Sequence, residues 1–228
     1  MSSLRPVLAL RGFEEWAYPT VDSQDGEGLN RMVLADRAVA LTNALAASAR
    51  VRTQISERLR SLVGQGMEFE TASLRRVKVW AAAEKTPLTL FVNEGSGANQ
   101  LPFLLVPIAL GEPGDTILLS EPEAHLHPKM QSAITSALLQ ASRELGLQFF
   151  VETHSEHVLH RLLQAVATGE LSHNELTIYY FKNKDGKAET RRLNIDEKGG
   201  VEGGLPGFFD QSLDELTEYI EALKQPKS

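Results

Sequence analysis

Two short apolar runs, residues 116–119 and 147–151, flank one segment, 131–145, in which apolar residues recur at helical spacing and which ends at Gly146. Strand, amphipathic helix and strand in close succession leave little topological freedom. Antiparallel neighbours are joined by tight turns, whereas a helical crossover of this length joins parallel strands in a right-handed sense. The 116–119 run is apolar after Thr116 and reads as a strand buried on both faces of a parallel sheet; 147–151 reads as a second core strand. Gly146 suits the left-handed turn that closes such a helix. Polar residues gather just beyond the carboxyl end of both runs, the edge at which open parallel sheets hold their ligands.

Around this unit the pattern changes. Residues 1–30 show no sustained period, and Asp25, Gly26, Glu27 and Gly28 form a turn cluster, so an irregular segment is expected. From 31 to 62, Val33, Leu34, Ala38, Leu41, Leu45, Val51, Ile55, Leu59 and Leu62 recur every three or four residues without Pro or Gly, which predicts one long helix or two end to end. Gly64 and Gly66 stop it. Residues 77–83 and 88–93 read as short strands joined by a turn at Lys85, Thr86 and Pro87. After Gly95, Ser96 and Gly97, the apolar run 101–110 reads as a buried helix. Near the other end, 176–182 and 190–195 flank Lys184, Asp185 and Gly186 as a β-hairpin would. A glycine-rich stretch, 199–207, then leads to a short acidic amphipathic helix at about 212–223. The expected architecture is α/β: a parallel core sheet flanked by helices, a small antiparallel N-terminal element and a C-terminal hairpin. It divides into an irregular and helical region over 1–66 and a site-bearing lobe over 67–228.

Composition excludes several chemistries. The longest uncharged apolar stretch, 101–110, is half of what a bilayer crossing needs and holds Pro102 and Pro107, so no membrane span is expected. Arg5 and Arg11 are not followed by the apolar stretch and cleavage site of a secretory signal, and a cytoplasmic location is expected. The absence of cysteine removes disulfides, thiolate zinc sites and cysteine nucleophiles. A net charge of −7 argues against a surface that wraps nucleic acid unaided. The densest basic groups, Arg50, Arg52, Arg58 and Arg60, then Arg75, Arg76 and Lys78, suit a solvated helix face, a subunit contact or a local DNA contact.

The chemistry-bearing residues follow the two apolar runs. Ser120, Glu121, Pro122 and Glu123 come after the first, then His125, Leu126, His127 and Pro128. A carboxylate fixed at a strand end can polarise a water or hold a metal, and Pro122 turns the chain away so that the carboxylate stays open. Glu152, Thr153, His154, Ser155, Glu156 and His157 follow the second run, where an imidazole can stabilise charge on a terminal phosphate. Either cluster alone also fits a solvated strand-end turn. Five of the six histidines fall between His125 and His160, so His125, His127, His154 and His157 form an alternative metal set, although the aspartates of hydrolytic metal motifs are missing nearby.

Taken together and in order, these motifs resemble the C-terminal lobe of SMC-like, ABC-type ATPases of the RecF/OLD-like AAA group. The residues that carry the resemblance are the strand ending in Glu121, Pro122 and Glu123, the loop His125, Leu126, His127 and Pro128, and the strand ending in Glu152, Thr153, His154 and Ser155. Upstream, Glu94, Gly95, Ser96, Gly97, Ala98, Asn99, Gln100, Leu101 and Pro102 resemble the signature loop. The tail, with Tyr179, Tyr180 and Phe181 and later Pro206, Gly207, Phe208, Phe209 and Asp210, is similar to an uncharacterised C-terminal module of one bacterial subgroup. The resemblance covers roughly residues 70–215 and implies a partial ABC-type ATPase fold with ATP and Mg²⁺ as cofactors. It makes Glu121 the general base that aligns the attacking water and His154 the switch histidine at the γ-phosphate. Ser96 and Gly97, with Gly95, Asn99 and Gln100, would meet the nucleotide of an opposing subunit. Glu123, His125 and His127 would form the loop that crosses the dimer interface. Family members act in DNA repair, chromosome handling and phage defence, so a multi-subunit complex of that kind, reaching DNA through its other members, is the implied setting.

Two features depart from the pattern. Ser120 stands where the family has an acidic residue that holds Mg²⁺ through water, and a hydroxyl brings no charge to that task. No Gly-x-x-x-x-Gly-Lys-[Ser/Thr] occurs in the 228 residues; the turns at 25–28 and 64–66 lack the lysine and the helix start that cradle phosphates. Three expectations follow. A P-loop-bearing ATPase subunit, or a homo-oligomer, completes the site; or the chain is a fragment of a longer ATPase; or it is a degenerate, non-hydrolytic interaction module.

Overall fold

The computed structural model describes residues 4–7, 18–19, 37–73, 76–83, 89–184 and 186–204, which fall into two compact units, Met1–His154 and Ser155–Ser228. The turn at 85–87, the turn cluster at 25–28, the helix at 212–223 and the aromatic pair Phe208 and Phe209 lie outside the described residues.

In the first unit, two short strands, β1 (Leu4–Val7) and β2 (Tyr18–Pro19), stand where the sequence reads as irregular. Their partners are far along the chain, so no local period reveals them. Two helices follow end to end, α1 (Arg37–Ala47) and α2 (Ala49–Val63). They break at Ser48, whose extended backbone lets its hydroxyl accept the Val51 N–H at 3.2 Å and cap α2. Gly64, at φ 73°, closes α2 in the left-handed turn that favours glycine. Val51, Ile55 and Leu59 face the core, and the buried Ser56 Oγ accepts the Met67 N–H at 2.9 Å, tying α2 to the strand after it.

That strand, β3 (Gln65–Ser73), pairs antiparallel with β4 (Arg76–Ala83), and β4 also pairs with β2 and with β5 (Thr89–Leu90). Here the sequence reading, which ends the helix at Gly66 and starts the sheet at 77, misses β3. Residues 91–93, expected as strand, form a single 3₁₀ turn.

Helix α3 (Ser96–Ala109) carries Pro102 and Pro107 in its interior. Each costs about 3 kcal/mol through a lost hydrogen bond and a ring clash. The helix forms because it is buried almost all round: Leu101, Leu104, Leu105 and Ile108 are fully enclosed, each such side chain contributing about 2 kcal/mol.

The strand, helix, strand unit is β6 (Thr116–Ser120), α4 (Pro128–Leu145) and β7 (Gln148–Glu152). Strand β6 lies between β1 and β7 and is parallel to both. Gly146 caps α4 at φ 66°. One expectation needs correcting: neither strand is buried on both faces. Along β6 only Ile117 and Leu119 are buried, and β7 alternates, leaving Phe150 60% exposed. Leu59, Leu104, Ile108, Ile117, Ile134 and Leu138 belong to one core that joins α2, α3, β6 and α4.

The second unit contains α5 (Glu156–Ala167), capped by Ser155 Oγ on the Val158 N–H at 3.1 Å, and the antiparallel hairpin β8 (Ile178–Lys184) and β9 (Lys187–Leu193). Gly186, at φ 76°, supplies the left-handed turn residue, and Asn183 Oδ1 accepts its N–H at 3.0 Å. Among the described residues no helix is long and apolar enough to cross a membrane.

Candidate functional site

Because β6 and β7 are parallel and in register, their carboxyl ends finish side by side, with Ser120 opposite Glu152. Ser120 Oγ donates to Glu152 Oε2 at 2.9 Å, and the Glu121 N–H donates to the Glu152 carbonyl at 2.8 Å, carrying the ladder one residue past the strand. The backbone then turns abruptly. Glu121 at φ 46° and His125 at φ 60° both occupy the left-handed region. That conformation costs a residue with a Cβ about 1–2 kcal/mol, a strain that concentrates where loops are held for function. Carbonyls of Glu121 and Glu123 accept the N–H groups of Ala124 and Leu126, each at 3.0 Å, and hold the double turn.

Glu123 joins the two strand-end loops. It is 7% exposed, and its Oε1 accepts the Thr153 hydroxyl at 2.6 Å and the His154 N–H at 3.0 Å. The other carboxylate oxygen, Oε2, is buried with no hydrogen-bond partner. Glu121 and His154 thereby face each other across the rim, Oε1 to Nε2 at 3.7 Å. The imidazole is 81% and the carboxyl group 40% exposed, so both are open to a reactant. The gap is just longer than a direct hydrogen bond and too short to hold a water in line, so a shared water would contact both groups from the open side of the rim.

The start of α3 lies against the same loop. Gly95 caps the helix without any side-chain bond, and the first helical bond runs from the Asn99 N–H to the Gly95 carbonyl at 3.0 Å. The N–H groups of Ser96, Gly97 and Ala98 precede it and have no partner within the helix, which makes this end attractive to an anion. A Cβ on Gly97 would sit 2.8 Å from the His125 carbonyl oxygen, so this position requires glycine for close approach. Gln100 is buried and its amide donates to the Ala124 carbonyl. Of the residues expected at the nucleotide, Ser96 is exposed, Gly97 and Asn99 are half-buried, and Gln100 is turned into the chain's own loop. His127, expected at a dimer interface, caps α4: its Nδ1 accepts the Lys129 N–H at 3.3 Å, with Pro128 at the first helical position. His125 is exposed.

Sequence reasoning placed Glu152 and Thr153 in the second strand-end cluster but gave neither a role at the site. Their signal is positional: each lies at the end of β7, one register step or one turn from Ser120 and Glu123. The four-histidine metal set is not formed, for no group of three or more His, Cys, Asp or Glu among the described residues is placed to hold a metal ion.

Over residues 21–160 the sequence matches the family described as "AAA domain, putative AbiEii toxin, Type IV TA system", and over 171–218 the "Protein of unknown function (DUF3696)". No curated protein matches it. Among solved structures it is similar to one reported for ATP-driven dimerization and DNA-stimulated activation of SMC ATPases, with a TM-score of 0.51 and 13% identity over 82% of this chain and 99% of that one. It is also similar to an SMC head bound to the C-terminal winged-helix domain of ScpA, with a TM-score of 0.53 and 13% identity over 74% of this chain and 54% of that one. A third is the SMC head with an extended coiled coil bound to the C-terminal domain of ScpA, from Pyrococcus furiosus: TM-score 0.50, 14% identity, 87% of this chain and 43% of that one. At such identities the likeness is one of fold, and this chain spans about half or less of the last two. With more than half its length inside the AAA-domain match, the chain belongs to that AAA-domain family, and its sheet and helices are arranged in the fold of an SMC ATPase head.

Proposed function

We propose that this chain supplies one half of a composite ATP site, in which Glu121 is the general base and His154 the group that senses and stabilises charge on the terminal phosphate. The observation that carries this reading is the pair itself: a carboxylate and an imidazole 3.7 Å apart, open to solvent, on the ends of adjacent parallel strands and locked together by the buried Glu123. Phosphoryl transfer asks a protein chiefly for positioning and electrostatic stabilisation, and these groups are built for both. Glu121 would take the proton of a water that contacts both it and His154 from the open side of the rim. The N–H groups at the start of α3, at Ser96 and Gly97, which have no partner within the helix, would meet the phosphate of a nucleotide carried by an opposing lobe.

The rim suits a divalent cation. Glu121 and Glu152 put two carboxylates on the rim, with Glu123 buried behind them, an arrangement hostile to phosphate unless a cation intervenes. No three such side chains among the described residues converge on a metal, so a cation would be held chiefly through its waters and the nucleotide. Mg²⁺ keeps much of its water shell and takes one or two carboxylates beside the substrate phosphates, so the Ser120–Glu152 pair provides enough: Glu152 the charge, Ser120 a hydroxyl for a cation-bound water. When bound, Mg²⁺ would neutralise charge on the phosphates; this chain's part is to hold that cation and the attacking water in place.

The phosphate-binding loop comes from outside these 228 residues, on a P-loop-bearing subunit or on another segment joined to a second copy. Assembly driven by ATP, in a cytoplasmic complex that handles DNA or defends against phage, is the biological setting this reading favours. Titration of Mg-ATP into the purified chain tests the composite site. The expected result is no binding tighter than about 1 mM, near −4 kcal/mol, until the P-loop-bearing partner is added. Micromolar binding by the chain alone would mean that the cradle lies within it.

A further inference from the structure

The second unit carries a surface that the ATP site does not use. On β8, Tyr179 is 55% and Phe181 67% exposed, although both are large aromatic side chains. On β9, every residue from Lys187 to Arg192 is exposed, and only Leu193 is buried. The hairpin therefore offers both its faces to solvent over most of its length. Register puts Tyr179 opposite Arg192 and Phe181 opposite Thr190, so two rings and a guanidinium share one face. The two aromatic residues are two apart on a strand, which spaces their Cα atoms about 7 Å along it.

The charge is equally local. From 178 to 193 there are five basic residues, Lys182, Lys184, Lys187, Arg191 and Arg192, against Asp185 and Glu189, in a chain whose net charge is −7. The hairpin thus reverses the sign of the molecule around it, and what it attracts is anionic. Exposed rings on a basic ribbon fit an anion that also presents flat aromatic faces. Single-stranded nucleic acid has both, with one phosphate and one unpaired base per nucleotide, and base–ring stacking tolerates any sequence. An anionic membrane would call for a continuous apolar face, whereas Thr190 and Arg192 interrupt this one. An acidic protein would satisfy the cations and leave the rings unused.

We propose that the β8–β9 hairpin is a docking arm for single-stranded nucleic acid, with Tyr179 and Phe181 as stacking platforms and Arg192 as the phosphate contact on the same face. Lys182 and Lys187, on the reverse face of the narrow ribbon, reach phosphates around its edges; Arg191 instead donates to the Glu202 carbonyl at 3.1 Å. This stands apart from the ATP-site reading and shares no residue with it.

The test is fluorescence anisotropy of a labelled fifteen-residue oligothymidylate titrated with the full chain at 50 mM salt. Micromolar binding is expected. With about three phosphates neutralised, the logarithmic salt slope is about −2, so affinity falls roughly 20-fold between 50 and 200 mM salt. Phe181→Ala and Tyr179→Ala each weaken binding by about 5-fold or more, Phe181→Trp keeps it, and Arg192→Glu flattens the salt slope. The charge variant and the Trp variant keep the proposal open to refutation if an alanine variant misfolds. No binding at 50 mM salt, binding that survives loss of both rings, tighter binding to the matching duplex, or equal competition by polyglutamate would each overturn it.

Discussion

Replacing Glu123 with alanine isolates the contact on which the site's geometry depends. The carboxylate accepts two bonds in a nearly dry place, from the Thr153 hydroxyl at 2.6 Å and the His154 N–H at 3.0 Å. A hydrogen bond to a charged acceptor contributes about 1.5–3 kcal/mol. Against this stands the unpartnered Oε2, whose burial costs about 1–3 kcal/mol and is relieved by the same substitution. The balance leaves Glu123→Ala destabilised by about 2–3 kcal/mol, a Tm shift of roughly 5–10 °C for a domain of this size. Glu123→Gln retains an acceptor for both donors but a neutral one, about half as strong, and should lose only about 1 kcal/mol. Urea unfolding followed by circular dichroism measures both, and a double-mutant cycle with Thr153→Val should return a coupling of about 1 kcal/mol. Hydrogen exchange adds a local readout: the His154 amide loses protection in Glu123→Ala while core amides such as Ile117 keep theirs. Stability within about 0.5 kcal/mol of the parent for Glu123→Ala, with zero coupling to Thr153, would refute the claim that this carboxylate holds the two loops together.

Gly97→Ala should cost about 1–3 kcal/mol, because the new Cβ would sit 2.8 Å from the backbone oxygen of His125, whereas Gly95→Ala, which meets only open space, should cost only the poorer cap, about 0.5–1 kcal/mol, in the same unfolding assay. Ser120→Asp sets a second carboxylate beside Glu152 across the strand pair, so it should lower Tm in EDTA by an amount equivalent to about 0.2–1 kcal/mol, and Mg²⁺ should restore it. A deficit that ignores Mg²⁺ would count against cation binding at that pair.

How much of this was legible in the sequence depends on the distance over which each feature is decided. The β6–α4–β7 unit was readable because its periods, its glycine cap and its strand-end polar clusters are local. The division of the long helical region stayed open between one helix and two; Ser48, a good cap residue, decides it. Strand β1 was not readable, since a short run containing Arg5 and Pro6 becomes a strand only by pairing with β6, far along the chain. Strand β3 carried a usable signal, Met67, Phe69 and Thr71 alternating with Glu68 and Glu70, but the flanking glycines were read as the end of order. Gly66 is instead packed against Ser56 and Arg60 of α2. At the site, residue types pointed to Glu121 and His154, while the contacts that fix them did not show: Glu123 reaches Thr153 and the His154 backbone thirty residues on, and Ser120 finds its acid on the neighbouring strand. Those are facts of register, and register is set only when the strands pair.

The most direct test of the central claim is ATP turnover by the complete assembly carrying Glu121→Gln in this chain. The substitution keeps the shape of the side chain and its place 3.7 Å from His154 but removes the base. If Glu121 aligns and deprotonates the attacking water, turnover falls by about 10²-fold or more while ATP-dependent association persists. Turnover equal to that of the parent assembly would contradict the account.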